Sequence, residues 1–528
     1  MTRRLLVQAA GLLTAVFFFY LAFNPRPGSW ALAPVAITLL LFFGCNRQTR
    51  PRSAGLAGLF FGFAFYFIEL FWITNSISGF TSLPRPVVVA IMALLALYMA
   101  LFPALFTAFA AGLQQRCPEP GPVREFLTAL ALAGAWVVLE EFRGRFLGGF
   151  PWHPLGLTQI NNRFLTPLLP YGGVRLLSSL VVFGGVCFGY GALALARGGF
   201  GRSGFYALIL ALALLGPSRV ISSPAVSVIQ LPGEETIPTR VLIVQPNIPQ
   251  AEKWRPENRE KIIAKMFSLT RRGLAGHPDL VVWPEAALPL LLERKPGLMK
   301  RIQTLADEND CALMLGGPRY LKPKGRDSVP KLYNAVFFFA PRRPLAVYNK
   351  IKLVPYGEFT PLAEFFPFIG KLVPGLNYSS GRRIITFSWK KLEVAPSVCF
   401  EGVFPAFTAH FFQAGANLLV NLTNDAWFGD SPGPRQHLLN LRLRALENRT
   451  WIVRCANTGI SADINPAGEI VKFLPLNQEG LILAEVQPAA GPTFYARHPD
   501  LVPRLAGLLL LLGIGLLFCN RRADNTNG

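Results

Sequence analysis

The feature that most limits what this chain can become is a succession of apolar runs long enough to cross roughly 30 Å of hydrocarbon. They fall at Leu5–Phe23, Ala31–Cys45, Ala54–Thr74, Val87–Leu113, Phe126–Phe142 and Val174–Ala196, with two shorter runs at Phe205–Gly216 and Leu505–Cys519. Inside a bilayer every backbone amide must find its partner within the protein, so runs of this kind become helices. Eight spans are therefore expected. No small-residue cleavage site follows the first run and a second begins at once, so the first is read as a span and not as a removable leader.

Hydrophobic residues make up 52% of the 528 and charged residues only 16%, and the apolar excess is confined to the two ends. Between them the sequence is mixed, as a folded aqueous domain would be. Three parts are expected: residues 1–216 with spans one to seven, residues 217–503 as a globular catalytic domain, and residues 504–528 with the last span and a tail.

The net charge of +22 invites a nucleic-acid reading, but Lys and Arg are dispersed or sit beside apolar runs, and no nucleic-acid-binding motif is present. Charge in that position fits anionic headgroups and the positive-inside bias. Threading eight spans from an inside N-terminus puts Arg3, Arg4, Arg47, Arg50, Arg52, Arg116, Arg124, Arg197, Arg202, Arg521 and Arg522 on the cytoplasmic side. The opposite short loops hold Arg26 and Arg85. The segment from about Pro217 to Pro503 is thus expected outside the cytoplasm, on the same face as the aromatic loop Gly148-Gly149-Phe150-Pro151-Trp152-His153-Pro154.

Glu69, Glu140 and Glu141 lie within or at the ends of spans, where a carboxylate is costly unless paired. A transporter uses such residues, yet the spans show no repeat of broken helices, and a transporter has no need of the large domain that follows. Seven cysteines occur without CxxC spacing, so neither a zinc ribbon nor a disulfide framework is indicated. Three of them, Cys311, Cys399 and Cys455, fall in the globular segment, and an odd thiol there asks for a chemical explanation.

That segment alternates short apolar runs with helix-like stretches. Candidate strands are Arg240–Gln245, Leu280–Trp283, Ala312–Gly316, Ala335–Phe339, Leu392–Cys399 and Asn417–Asn421; candidate helices are Glu257–Gly273, Gly297–Asn309 and Pro434–Arg449. The pattern predicts an α/β layered domain. Three polar residues stand at or beside strand ends, in the order Trp283-Pro284-Glu285, Tyr348-Asn349-Lys350 and Val398-Cys399-Phe400-Glu401. Alone, each has an ordinary reading as a strand-end Glu, a solvated Lys or a buried Cys. Together they supply a proton acceptor, a cation and a thiol, the parts needed for acyl transfer through sulfur.

This ordered trio resembles the nitrilase superfamily, in which a Glu–Lys–Cys triad sits on an αββα sandwich. Gln245-Pro-Asn-Ile-Pro-Gln250 with Lys253-Trp254, Leu353-Val-Pro-Tyr-Gly-Glu358-Phe359, Asn421-Leu-Thr-Asn-Asp-Ala-Trp-Phe-Gly429, the eight spans and the Phe-Pro-Trp loop narrow the resemblance to the membrane-bound apolipoprotein N-acyltransferase family. The resemblance implies Cys399 as nucleophile, Glu285 as general base and later acid, and Lys350 as the cation facing the oxyanion. Glu358 and Glu401 would support them, and Trp254 would belong to a mobile loop over the site. Phe400 departs from the pattern, since some relatives carry tyrosine there, and any hydroxyl contact is lost.

By the same resemblance the reaction moves an acyl chain from the sn-1 position of a phospholipid, such as phosphatidylethanolamine, to Cys399 and then to the amine of a diacylglyceryl-cysteine apolipoprotein. The expected place is the outer face of a bacterial cytoplasmic membrane, with no cofactor and no metal. A membrane-tethered amidase or nitrilase acting on a small C–N substrate is the alternative. The aromatic segment Phe365–Leu376, read as a membrane-dipping arm, favours the acyltransferase. Asn424 and Asp425 are read as turn formers.

Overall fold

The apolar runs of the two ends form helices in the computed structural model, which describes residues 2–45, 48–81, 83–116, 121–199, 201, 204–206, 238–322, 330–361 and 377–524. Helices α1 (Thr2–Phe23), α2 (Leu32–Gly44), α3 (Pro51–Glu69), α4 (Ile73–Phe80), α5 (Arg85–Arg116), α6 (Pro122–Arg143) and α7 (Leu169–Ala196) are followed, at the end of the chain, by a helix at Leu501–Asp524. Six of the described helices are long and apolar enough to cross a membrane, and α2 lies in a shorter apolar helical stretch, Ser29–Gly44. The expected seventh span, Phe205–Gly216, lies almost wholly outside the described residues, as does the expected arm at 365–376.

Two compact units result. One comprises Met1–Thr74, Pro84–Pro232 and His498–Gly528; the other comprises Asn75–Leu83 and Gly233–Arg497. In the helical unit α3 and α5 approach closely because Gly62 has no side chain, and a Cβ there would lie 2.8 Å from the Ala100 Cα. The outward faces of the helices carry Phe17, Leu94, Leu105, Leu508 and Leu511, all exposed, as lipid-facing positions are.

The carboxylates buried in this unit are paired. Glu140 accepts from Trp136 Nε1 (2.9 Å) and the Leu155 amide (2.7 Å) on one oxygen, and from Arg175 Nη1 (2.7 Å) and Ser178 Oγ (2.9 Å) on the other. Glu69 lies 3.0 Å from His153 Nε2, and Glu141 meets both Arg145 and Arg175. These residues brace the aromatic loop against the helices: Arg143 donates to the carbonyls of Trp152 and His153.

The second unit is built on two six-stranded sheets. Strands β1 (Thr239–Gln245), β2 (Leu280–Val282), β3 (Ala312–Leu321), β4 (Lys331–Phe339) and β5 (Ala346–Asn349) join β12 (Gly480–Val486) in the order β12-β1-β2-β3-β4-β5. Strands β6 (Phe387–Trp389), β7 (Leu392–Val398), β8 (Leu418–Thr423), β9 (Ile452–Ala456), β10 (Ser461–Ile464) and β11 (Ile470–Leu474) form the other in the order β11-β10-β9-β8-β7-β6. Each sheet has three parallel strands at its centre, β1-β2-β3 and β7-β8-β9, with antiparallel neighbours outside. The sheets face each other closely enough for the Cys455 thiol of β9 to reach the carbonyls of Val244 and Val282.

Helices cover the outer faces. In α8 (Arg259–Leu274) the apolar residues Ile262, Ile263, Met266, Phe267 and Leu269 recur at helical spacing, and in α9 (Pro296–Glu308) Leu298, Ile302, Leu305 and Ala306 do the same. Most of these join Leu242, Val281 and Leu313 in one buried cluster. On the second sheet lie α10 (Pro405–Gln413) and α11 (Gly433–Asn448). The αββα order follows from sheets that are apolar on both faces and must be covered on both.

Candidate active site

The three motif residues emerge where strands end. After β2 the chain runs through Trp283, whose buried indole donates to Thr270 Oγ1 (2.9 Å), into a turn at Glu285-Ala286. Ala286 takes φ 47°, and the turn packs against Gly316, where a Cβ would lie 2.7 Å from the Glu285 Cα. Lys350 leaves β5 with its amide bonded to the Asn334 carbonyl of β4 (2.8 Å). Cys399 follows β7 with φ 50°, a left-handed conformation that a residue with a side chain adopts only when its surroundings hold it.

Glu285, Lys350 and Glu358 form a buried knot. The Lys350 ammonium lies 2.8 Å from Glu358 Oε2 and 3.7 Å from Glu285 Oε1. The Asn334 amide ties the two carboxylates together, donating to Glu285 Oε1 (2.7 Å) and Glu358 Oε1 (2.8 Å). Two negative groups thus share one cation. Burial raises the Glu285 carboxyl above its usual range; Lys350 opposes this and Glu358 reinforces it. Burial disfavours the charge on Lys350, but Glu358 and Glu285 outweigh it and hold the ammonium protonated. The ammonium carries three donors, and its one short contact is with Glu358, so donor capacity is left for a further partner.

Cys399 interacts electrostatically with Glu285 and Lys350. Burial and the Glu285 charge push its thiol well up, and Lys350 pulls it down by less. A nearby ammonium was expected to favour the thiolate, but this one is already committed to two carboxylates, so the thiol rests protonated and attack requires a base. Cys399 is partly accessible whereas Cys311 and Cys455 are buried, and burial pushes Cys311 up to about 11 and Cys455 further.

Glu401 sits differently from Glu358. Its Oε1 accepts from Tyr348 Oη (2.7 Å) and from the amides of Ile351 (2.7 Å) and Lys352 (3.1 Å), and its Oε2 from the Val398 amide (2.8 Å). It therefore staples the segment after Lys350 to the residue before Cys399. Burial, against Lys350 and these donors, raises its carboxyl to about 7. Trp254 is 40% exposed, while its neighbour Lys253 is wholly buried and donates to the Glu285 carbonyl (3.2 Å). Burial lowers the Lys253 ammonium to about 8. Phe400 packs edge-on against Phe404 at 5.0 Å between ring centres.

Asn334, His437 and Arg454 had no sequence signal read for them, and Tyr348 and Asn421 were read only as members of motifs; Asn421, His437 and Arg454 lie behind Cys399, joined through Asp425. Asp425 does more than shape a turn, since its buried carboxylate pairs with Arg454, accepts from Thr423 Oγ1 (2.9 Å) and lies 3.1 Å from His437 Nδ1. Cys399, Asp425 and His437 are close enough to chelate a metal, but Asp425 and His437 are already engaged in these bonds. Asn75 and Ser76, from α4, donate to the carbonyls of Phe428 and Trp427 just beyond Asp425.

Known proteins place this geometry in context. The model of the apolipoprotein N-acyltransferase N-terminal domain matches residues 15–187, and that of carbon-nitrogen hydrolases matches residues 240–493. The chain is similar to the apolipoprotein N-acyltransferase of Geobacter metallireducens, 35% identical over 503 residues that cover 94% of this chain and 91% of that protein. It is similar also to that of Azotobacter vinelandii, 34% identical over 516 residues that cover 94% of this chain and 92% of the relative. Among solved structures, an amidase from Nesterenkonia sp. aligns at a TM-score of 0.37 with 18% identity, over 51% of this chain and 96% of that one.

Proposed function

This chain belongs to the apolipoprotein N-acyltransferase family, and from that premise we propose that Cys399 carries the acyl group between a phospholipid and an apolipoprotein, with Glu285 moving the protons and Lys350 facing the oxyanion. The observation that supports this most is the buried Glu285–Lys350–Glu358 knot beside Cys399, the one cysteine described in the sandwich that is not fully buried. An amidase would use the same knot. The matched N-terminal membrane domain favours the acyltransferase over it.

In the first step Glu285 takes the Cys399 proton as Sγ attacks the sn-1 ester carbon. The carbonyl electrons move onto oxygen, where the Lys350 ammonium stabilises them. Collapse breaks the glycerol C–O bond, Glu285 returns the proton to the departing oxygen, and a thioester and a lysophospholipid remain. In the second step the α-amine of a diacylglyceryl-cysteine attacks the thioester carbon and gives a proton to Glu285, which passes it to sulfur as the C–S bond breaks, leaving an amide and a free thiol. The raised Glu285 carboxyl suits a group that must both accept and return a proton. Glu358 holds Lys350, and Glu401 positions the two loops.

Phosphatidylethanolamine as donor, the outer face of a bacterial cytoplasmic membrane as location, and a catalytic domain at 217–503 between 1–216 and 504–528 belong to the same proposal. The Arg distribution supports the orientation, and a reporter fused after Gly276 that works only in the cytoplasm would overturn it. The test of the chemistry is to mix the pure protein with phospholipid in the absence of an amine and map the adduct by mass spectrometry. An acyl thioester on Cys399, discharged by a diacylglyceryl peptide, is expected. An acyl group on Cys311 or Cys455, or normal transfer by Cys399→Ser, overturns the assignment.

A further inference from the structure

The carbonyl oxygen of Cys399 is held from behind by two buried side chains, Asn421 Nδ2 at 3.2 Å and His437 Nε2 at 3.1 Å. A carbonyl only accepts, so the His437 Nε2 carries a hydrogen. Its Nδ1 lies 3.1 Å from Asp425 Oδ1 and 3.3 Å from Arg454 Nη2. When the ring is neutral, Nδ1 accepts from Arg454; when it is charged, Nδ1 donates to Asp425. The bond to Cys399 persists in both states. Arg454 also donates to Asn421 Oδ1 (3.1 Å), so one guanidinium orients both groups that grip the carbonyl.

Asn421, Asp425, His437 and Arg454 are all buried. Taking such charges out of water is expensive, and hydrocarbon would fill the space at less cost. What the polar set does that hydrocarbon cannot is aim two N–H groups at one oxygen. A trans peptide is planar, so fixing the Cys399 carbonyl also fixes the Phe400 N–H on the opposite side. In nucleophile elbows the amide after the nucleophile is an oxyanion donor. The strained φ of Cys399 needs an external hold of this kind.

We propose that His437 and Asn421, oriented by Arg454 and Asp425, lock the Cys399–Phe400 peptide so that its N–H faces the acyl oxygen, which makes His437 a positioning residue for the oxyanion. The proposal rests on the reading of Cys399 as nucleophile. A competing role exists, because a ring nitrogen of His437 lies within 4.8 Å of the thiol sulfur and would serve there as a second base.

Two rates on the purified full-length protein separate these roles. Acylation of Cys399 by phospholipid passes through an oxyanion; alkylation by iodoacetamide needs the same sulfur but forms none. His437→Ala should slow acylation about 100-fold, the scale of a lost oxyanion donor, and alkylation by no more than about threefold. His437→Gln, whose amide can still donate, should recover part of the acylation rate. Asn421→Asp, which sets a carboxylate against the Cys399 carbonyl, should reproduce the split and stands in if His437→Ala does not accumulate. Parallel losses in both rates, or undiminished acylation, overturn the clamp. Absence of any Cys399 thioester in the unaltered protein is a different result, since it removes the proposed function itself.

Discussion

Glu140 in the helical unit and Glu285 in the sandwich are both buried carboxylates beside a buried cation, yet they are built in opposite ways. Glu140 accepts from four donors, two on each oxygen. Glu285 accepts one hydrogen bond among the described residues, from Asn334, and its cation is shared with Glu358. A buried charge with every lone pair satisfied has no capacity left for a substrate and acts as a brace. One left with spare lone pairs beside an ammonium of unfilled donor capacity is unstable alone and useful to a reaction. Burial of charge does not by itself mark the site; what separates Glu285 from Glu140 is its unfilled hydrogen-bonding capacity.

The comparison is broken most severely within the knot, at Glu285 and Lys350. Lys350→Met removes the only cation, among the described residues, in ion-pair contact with the two carboxylates of the knot, so one of them must take up a proton. Acyl transfer should fall by on the order of 10²–10³ from loss of the oxyanion donor alone. Glu285→Gln should fall by on the order of 10²–10⁴, because the resting thiol is protonated and loses its acceptor. Both are measured as thioester formation per folded molecule. Near-normal formation in either variant would show that its residue is a brace of the Glu140 kind.

Glu140→Gln tests the other side and should affect folding but not chemistry. An amide in its place presents a donor where Arg175 and Ser178 donate, or where Trp136 and the Leu155 amide do, and costs on the order of 3 kcal/mol. Less protein should accumulate and it should unfold at lower temperature, while Cys399 acylation per folded molecule stays within about twofold. A loss of acylation without a loss of stability would move Glu140 into the working part of the protein.

The same contrast explains what the sequence disclosed. Glu285, Lys350 and Cys399 were legible because each follows or adjoins an apolar strand and carries a reactive group in a recognisable triplet. The helices Arg259–Leu274 and Pro296–Glu308 were legible from their apolar spacing. Asn334 was not, since its role depends on the strand pairing that sets it opposite Pro318. His437 and Arg454 were not, because a histidine in a helix and an arginine in an apolar strand acquire meaning only through Asp425, 12 and 29 residues away. Strands such as Ile470–Leu474 escaped notice because four of their five residues are exposed and show no alternation. Motifs disclosed the groups proposed to react, with Glu358 and Glu401 beside them; Asn334, His437 and Arg454, which hold them, are visible only in three dimensions.

The smallest effect is expected at Glu401, which has the bonding of a brace but joins the two reactive loops. Its carboxyl is raised from 4.5 to about 7 in the folded protein, so the folded state favours the neutral acid. The stability this contributes is complete below about pH 4.5 and is lost as pH rises through about 7. Glu401→Gln stays neutral at every pH, but its amide nitrogen must face either the Val398 amide or the three donors around Oε1, a mismatch of about 1–3 kcal/mol. The variant should therefore unfold at lower temperature than the unaltered protein at pH 5, and the gap should narrow at pH 8. Glu285 slopes the same way but is present in both proteins and cancels from the difference. Thermal unfolding at the two pH values decides the matter: a gap that does not change with pH would mean that the Glu401 carboxyl is ionised throughout, and that the staple between the Lys350 and Cys399 loops is an anionic one.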